Sequence, residues 1–289
     1  MPPRPRRPLP PAPDPFARLL DRLDATADGR PADDTVPTGF PSVDRALGGG
    51  LRRGDLVALG GDVGSGKSAL ALAMAIRAAR AGHAVLYLSG EMGPDRVRER
   101  GLAREAKVAV DDLRAARMGD AVRAAVGHAA LELRRLPLAV ETLPADDFAA
   151  VAARLERIPP PALVVVDSLQ LLPPPADGLT TDDRLARATA ACKALAIGRH
   201  VAVLAAVQLP AFSAQRADPR PTLDDLGARG AVKQHADVVL GLYREEMYRR
   251  DHAVAGATEL ILLKNRNGGT GFVDLYFHER WLRFEDLVD

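Results

Sequence analysis

The segment Gly61–Ser68, with the sequence GDVGSGKS, restricts what this chain can fold into more than any other stretch. It matches the pattern G-x-x-x-x-G-K-[ST], in which glycines let backbone N–H groups converge on phosphate oxygens. An apolar run at Leu56–Leu59 predicts a strand before it, and Ser68–Ala81 predicts a helix after it. The dipole of that helix favours an anion at the loop. The sequence therefore predicts a strand–loop–helix unit that binds phosphate groups.

Further apolar runs alternate with helical patterns and predict an α/β fold. Strands are predicted at Ala84–Ser89, Leu163–Val166, Val201–Val207, Val238–Tyr243 and Glu259–Lys264, and helices at Asp95–Ala106, onward to about Arg135, and at Asp183–Ile197. Such alternation is typical of a mostly parallel twisted sheet flanked by helices. The stretch Gly271–Phe284 alternates in hydrophobicity and predicts a closing β-hairpin.

The chain is expected to have three parts. Residues 1–15 are rich in proline and arginine, which favours a disordered arm. Residues 16–35 contain a short amphipathic helix, with Phe16, Leu19, Leu20 and Leu23 on one stripe, followed by a linker. Because so short a helix is marginal alone, we expect it to dock on its own domain or on a neighbouring subunit. Residues 36–289 form the α/β domain.

Composition excludes several classes of protein. No run of about 18 apolar residues occurs, so no membrane span is predicted. A single cysteine, Cys192, excludes a disulfide framework and a cysteine-rich zinc site. The basic N-terminus lacks the apolar core of a signal peptide, and a cytoplasmic location is expected. The net charge of +1 neither indicates nor excludes nucleic acid as a partner.

The loop and one downstream aspartate predict a site for ATP and Mg²⁺. Lys67 would reach the β- and γ-phosphates, and the Ser68 hydroxyl would ligate magnesium. Asp167 ends the apolar run LVVV, at the strand end where parallel sheets bind ligands, and would hold the hydrated ion. The expected nucleotide contacts are Gly61, Asp62, Val63, Gly64, Ser65, Gly66, Lys67, Ser68 and Ala69.

Other polar residues at strand ends predict hydrolysis. Glu91 follows the second strand in YLSGEM and is placed to deprotonate an attacking water. Gln208 ends the strand in VLAAVQL, where an amide could sense the γ-phosphate. Lys264 and Arg266 in KNRNGG suit an arginine finger, acting in cis or from a neighbour.

The loop from Pro210 to Lys233 is a candidate for binding a polyanion. It carries four cations: Arg216, Arg220, Arg229 and Lys233. An ordinary solvated surface loop is the alternative interpretation.

Several strings, in order, resemble the C-terminal motor domain of DnaB-type replicative helicases. These are VPTGFPSVDRALGGGLRRGDL, the phosphate-binding loop, SGEM, VVVDSLQLL, LAAVQL, RPTLDDLGARGAVKQHADVVLGLYREE and LLKNRNG, and they extend over about Val36–Phe284. The resemblance implies a RecA-like domain in a homo-hexameric ring, with ATP between subunits and single-stranded DNA in the channel.

The resemblance also implies roles for individual residues. Glu91 would be the catalytic base, Gln208 the sensor, and Arg100 a residue that lies against the nucleotide. Lys264 and Arg266 would act in trans on the neighbour's γ-phosphate. Single-stranded DNA is the implied partner in replication or repair. The sequence does not identify a partner among replication or loader proteins.

Two departures from the family are expected to matter. The proline arm and short helix stand where the family has an N-terminal helical domain, and the helix resembles the family's linker helix. Gly227 and Ala228 stand where the family usually has an Arg-Glu pair in the DNA loop. Two alternatives stay open: a recombination ATPase resembling RadA, and a RecA-like ATP switch that acts on protein partners without DNA.

Overall fold

The computed structural model describes residues 16–28, 34–144, 148–156, 160–172, 178–209, 216, 218–227, 230–248 and 255–287. Nine helices are assigned in this part of the chain: Ala17–Ala27 (α1), Pro41–Ala46 (α2), Lys67–Arg80 (α3), Pro94–Ala106 (α4), Val110–Arg114 (α5), Asp120–Arg135 (α6), Phe148–Glu156 (α7), Thr181–Arg199 (α8) and Ala231–His235 (α9). The predicted arm, residues 1–15, lies outside the described residues.

The strands form one small and one large sheet. They are Thr35–Val36 (β1), Leu51–Arg52 (β2), Leu56–Gly61 (β3), Val85–Ser89 (β4), Leu138–Thr142 (β5), Leu163–Asp167 (β6), Ala202–Gln208 (β7), Val238–Arg244 (β8), Ala257–Asn265 (β9), Gly271–His278 (β10) and Arg283–Asp286 (β11). β1 pairs with β2, and the large sheet has the order β11-β10-β9-β8-β3-β7-β6-β4-β5. Neighbouring strands from β8 to β5 in this order are parallel, whereas β9, β10 and β11 pair antiparallel. The predicted α/β class, with a mostly parallel sheet, flanking helices and a closing hairpin, is confirmed.

Helices cover both faces of the parallel part of the sheet. Val57 and Leu59 of β3 pack in the same core cluster as α3, while Leu56 and Ala58 pack in a second cluster with α8. Strands buried on both faces are continuously apolar, which is why LVAL and LVVV are recognisable from sequence. α3 is rich in alanine and is buried from Ala69 to Ala79 apart from Arg77.

The sequence prediction was wrong or incomplete at several places, and the short elements β1, β2, α2 and α9 were among those not predicted. The helical stretch expected up to Arg135 is interrupted at residues 115–119, between α5 and α6. Strand β5 and helix α7 were not predicted. β5 is only partly buried, so its apolar signal is weak. Helix α8 begins two residues earlier than predicted, because the Thr180 side chain accepts from the Asp183 amide and forms a capping box.

The short N-terminal helix is present as α1, and three apolar side chains of its predicted stripe face solvent. Phe16 is 62% exposed, and Leu20 and Leu23 are each 54% exposed. Whether α1 docks on a partner stays a prediction, as do the three-part boundaries. Among the described residues, no helix combines the length and the apolar character needed to cross a membrane.

Candidate active site

The phosphate-binding loop joins β3 to α3 with a geometry that needs glycine. Gly64 and Gly66 have φ of 80° and 100°, in the left-handed region that side chains disfavour. A Cβ on Gly66 would also lie 3.0 Å from the Phe284 ring, and one on Gly61 would lie 2.6 Å from Ser65 Oγ. The backbone therefore runs close to its neighbours at both glycines, and amide groups rather than side chains line the loop.

Lys67 lies folded into the loop. Its Nζ donates to the carbonyl oxygens of Gly61 at 2.9 Å and Asp62 at 2.8 Å. Burial lowers the pKa of Lys67, and the nearby carboxylates of Glu91, Asp167 and Asp62 oppose that shift. The electrostatic influence of these three carboxylates thus reaches the one ammonium group.

Ser68 and Asp167 meet across the end of the sheet. Ser68 Oγ donates to Asp167 Oδ1 at 3.0 Å, and the other carboxylate oxygen accepts from Tyr87 Oη at 2.6 Å. Tyr87 is fully buried, which raises the pKa of its hydroxyl, and the charge of Asp167 raises it further. Tyr87 therefore stays a hydrogen-bond donor that fixes the carboxylate. Sequence reasoning missed it, although a hydroxyl in an otherwise apolar strand was a usable signal.

Two further predicted residues of the site, Glu91 and Gln208, lie along the same edge. Strand pairing sets Ser89 opposite Asp167 and Gly61 opposite Gln208, so the carboxyl ends of β6 and β4 are level, and those of β3 and β7 extend two residues further in the same direction. Glu91 follows β4 by two residues and is exposed, and Gln208 is exposed at the end of β7. Arg100, on α4, is within electrostatic range of Tyr87, where its charge partly opposes the rise in the pKa of that hydroxyl.

Two residues at and just after the end of β8 hold the phosphate-binding loop from behind, and the sequence did not single them out. Arg244 is 4% exposed and donates from Nη1 to the Gly64 carbonyl at 3.1 Å, with its guanidinium over the Phe277 ring. Tyr248 Oη donates to Asp62 Oδ2 at 3.0 Å. A charged residue at the end of an apolar strand was the available signal for Arg244.

Lys264 and Arg266 lie on the opposite edge of the sheet from the loop. β9 runs antiparallel to β8, so its end Asn265 pairs with Val238, which is level with Val57 near the start of β3. Four residues of β3 separate that point from Gly61, where the loop begins, which is roughly 13 Å at about 3.3 Å per residue. An arginine side chain reaches only about half as far. A cis role for these two cations at the loop is therefore excluded by the strand directions.

Both cations are held by the end of α9. Lys264 Nζ donates to the carbonyls of Lys233 at 2.5 Å and Ala236 at 2.6 Å. Arg266 donates to Asp237 Oδ1 at 2.9 Å and to the Gln234 carbonyl at 2.7 Å, and its side chain is still 49% exposed. With respect to the described residues, several of its five N–H donors thus remain for a partner outside the chain.

The cations of the predicted polyanion loop that are described pair with carboxylates of the chain itself. Arg216 contacts Asp225 at 2.8 Å, and Lys233 contacts Asp224 at 2.6 Å. Arg220 donates twice to Glu259, at 2.7 and 2.5 Å. Arg229 and Ala228 lie outside the described residues, and the preceding Gly227 is exposed with φ of 63°. Their role in binding DNA stays a prediction.

The donor set fits a nucleoside triphosphate with a divalent cation. Ser65 Oγ is buried and has no hydrogen-bond partner among the described residues, and it faces the loop that the glycines keep open. The Lys67 ammonium is satisfied here by loop carbonyls, which a phosphate oxygen can replace at the same position. Ser68 and Asp167 offer two hard oxygen ligands side by side, as Mg²⁺ prefers.

A family model described as DnaB-like helicase C terminal domain matches residues 35–286. The chain belongs to this family. The match extends over the phosphate-binding loop, Asp167 and both edges of the sheet, and it favours the DnaB resemblance over the one to RadA.

Relatives and solved structures agree with the family assignment. The replicative DNA helicase DnaB of Leifsonia xyli subsp. xyli is 31% identical over 274 residues, which are 93% of this chain and 60% of that protein. The replicative DNA helicase DnaB of Geobacillus stearothermophilus is 30% identical over 87% of this chain and 56% of that protein. The chain thus spans little more than half the length of these relatives.

Two solved structures share the fold. One is an isolated ATPase domain, which superposes with a TM-score of 0.85 at 25% identity, covering 94% of this chain and 99% of that domain. The other is a DnaB-like replicative helicase, solved in a study of its interactions with primase. It gives a TM-score of 0.84 at 25% identity, covering 95% of this chain and 67% of that one. The DnaB-like domain here is therefore a RecA-fold ATPase domain in architecture.

Proposed function

We propose that this DnaB-like domain is an ATP-hydrolysing motor of the replicative helicase type, which works on single-stranded DNA as a homo-hexameric ring. The observation that carries the proposal is the division of the catalytic groups between two edges of one sheet. Phosphate, metal and base residues lie at the carboxyl edge with Lys67, whereas Lys264 and Arg266 lie at the far edge. Such a site is complete only where two copies meet.

Within one subunit, the residues of the carboxyl edge divide the work. The loop amides and Lys67 would hold the β- and γ-phosphates, and Ser68 and Asp167 would hold Mg²⁺. When bound, that ion neutralises charge on the phosphate oxygens. Tyr87 keeps Asp167 oriented. Glu91 is exposed at the same edge, which suits a carboxylate that accepts a proton from the attacking water.

The neighbouring copy would supply the remaining charge. Arg266 keeps free donors on a half-exposed guanidinium, which would stabilise the charge that develops on the γ-phosphate of the adjacent subunit. A closed ring satisfies every such head-to-tail interface, because each subunit gives one edge and receives the other. A six-membered ring is proposed from the DnaB resemblance.

Single-stranded DNA is proposed as the track, contacted by the segment that holds Arg216, Arg220 and Lys233. Each of these cations is paired with an aspartate or glutamate, so DNA phosphates would have to compete with those carboxylates. Binding should therefore be weak per contact and strongly dependent on salt. A cytoplasmic location follows from such a role and stays a prediction.

The proposal is tested by the ATPase rate of the full chain with and without single-stranded DNA. The wild-type rate should rise when a homopolymeric DNA strand is added. Lys67→Ala should lose hydrolysis while its circular-dichroism spectrum is unchanged, because the side chain bonds only loop carbonyls. Arg135→Ala is the matched control, since Arg135 is a 76% exposed cation on α6, and it should behave as wild type.

The outcomes separate the competing functions. If DNA neither binds nor stimulates hydrolysis, an ATP switch that acts on protein partners becomes the better function. A marked preference for branched over linear DNA would instead favour a recombination ATPase.

A further inference from the structure

A positively charged cavity lies far from the phosphate-binding loop, where the ends of α3 and α4 meet the start of β11. Its volume is about 440 Å³. Its lining residues include four arginines, Arg77, Arg80, Arg104 and Arg283, and one acidic residue, Glu105. Arg77 and Arg80 are ten and thirteen residues beyond Lys67 on one helix, which is roughly 15–20 Å at about 1.5 Å per residue. The cavity is thus separate from the candidate active site.

Arg104 is the least expected member of this group. Its side chain is 2% exposed, and Nη1 contacts Glu105 at 2.7 Å. Its Nε is buried and has no hydrogen-bond partner among the described residues. A buried donor of a charged group left without an acceptor is costly, on the order of 1–3 kcal/mol.

The other three arginines are fixed in place rather than mobile. Arg77 stacks over the Phe40 ring, 3.9 Å from its centroid, and donates to the carbonyls of Gly39 and Phe284. Arg80 contacts Glu105 at 2.8 Å. Arg283 contacts Glu285 at 2.9 Å. The protein therefore holds the cluster in a defined shape before any ligand arrives.

The cluster is not neutralised by its own carboxylates. Glu105 is shared between Arg80 and Arg104, so one negative charge serves two cations. Burial lowers the pKa of Arg104 to about 10, and repulsion from Arg77, Arg283 and Arg80 contributes to that shift. Asp286 is near Arg77, but it also accepts from the Ser42 amide. A net positive charge remains on the walls.

We propose that this cavity is a second anion site, which binds the phosphate or diphosphate group of a small ligand. Guanidinium groups match phosphate oxygens in geometry and charge, and pre-arranged forks lose little freedom on binding. Phe40, the ring beneath Arg77, is fully buried, so it offers no face on which a base could stack. The site thus recognises the phosphoryl group itself.

The test is calorimetric titration of the full chain with inorganic phosphate, pyrophosphate and ADP at low ionic strength. The Lys67→Ala variant is used throughout, to weaken competing binding at the phosphate-binding loop. Pyrophosphate should bind, and adding Arg80→Gln should weaken it on the order of tenfold, the value of one charge-assisted hydrogen bond. Adding Arg135→Gln, which changes an equally charged exposed residue on α6, should leave affinity unchanged.

The outcomes of these titrations either support or overturn the proposed anion site. ADP binding as tightly as pyrophosphate, with the same dependence on Arg80, supports a nucleotide tail as the source of the anion, and pyrophosphate alone supports a free anion. If Arg80→Gln and Arg135→Gln reduced the affinity for pyrophosphate equally, binding would be non-specific electrostatic attraction, and the proposed site would be overturned. Lack of any Arg80-dependent binding of these small anions would overturn it too. A melting curve for Arg80→Gln confirms that the fold is retained, and Arg104→Lys, which keeps the charge but loses the fork, should bind less tightly.

Discussion

Mixing two inactive variants tests whether Arg266 completes the active site of a neighbouring subunit. Arg266 is level with the start of β3 and bonded to Asp237, whose amide and carboxylate contact Leu56. The loop lies at the other end of that strand, so the Arg266 guanidinium cannot reach its own nucleotide. Arg266→Ala should therefore reduce the ATPase rate by at least about 100-fold, since arginine fingers are worth about 10³–10⁵.

The size of the recovery follows from the geometry of the ring. An interface works when an Arg266→Ala subunit provides the loop and a Lys67→Ala subunit provides the finger. In an equal random mixture, about a quarter of the head-to-tail interfaces have that order. If interfaces act independently, the mixture should regain on the order of a quarter of the wild-type rate, from two proteins that are each nearly inactive.

The assay is steady-state ATP hydrolysis after mixing, with exchange of subunits followed by energy transfer between labelled chains. The matched control replaces Lys67→Ala by the double variant Lys67→Ala/Arg266→Ala, which has no finger to give and should rescue nothing. Full activity of Arg266→Ala alone would refute the assigned role. Absence of recovery in rings shown to be mixed would refute action in trans.

Three further changes give distinct outcomes. Tyr87→Phe removes the donor to Asp167 Oδ2 and should lower the free energy of urea unfolding by about 1–2 kcal/mol. It should also raise the Mg²⁺ concentration needed for half-maximal ATPase activity about tenfold or more, and an unchanged Mg²⁺ requirement would contradict its role in orienting Asp167. Gly66→Ala places a Cβ 3.0 Å from Phe284 at φ of 100° and should abolish nucleotide binding in a fluorescence titration, whereas Gly119→Ala, with nothing near its Cβ, should not. Asp237→Asn should destabilise the fold by about 3 kcal/mol at pH 7. Burial opposes ionisation of Asp237, but hydrogen bonds from Lys193, the Leu56 amide and Arg266 outweigh burial and lower the pKa of Asp237 below the ordinary 3.8. The stability that the Asp237 charge contributes is therefore present above pH 3.8 and is lost as pH falls through the lowered pKa. The difference in free energy of unfolding between Asp237→Asn and wild type should therefore be smaller at pH 3 than at pH 7. An equal difference at both pH values would be inconsistent with an origin in the Asp237 charge.

Local patterns were enough to predict the frame of the domain. The loop Gly61–Ser68 has a fixed spacing of glycines, lysine and serine, and strands such as β3 and β6 are apolar because both of their faces are covered by helices. Parallel strand ends must meet at one edge, so Asp167, Glu91 and Gln208 could be grouped with the loop before their distances were known. β5 escaped prediction because it is only partly buried and its apolar pattern is weak.

Contacts between residues far apart in the chain followed from no such pattern. Sequence left open whether Arg266 acts in cis or in trans, and the antiparallel course of β9 removes the cis role by carrying it to the edge opposite the loop. The sequence did not show that Arg220 pairs with Glu259, which is 39 residues further along the chain. It also did not show that Arg104 lies at a cavity between α3, α4 and β11. Spacing along a chain fixes which residue types recur on a strand or helix, whereas the pairing of charges depends on strand direction and on which elements pack together, and those are set by the whole sheet.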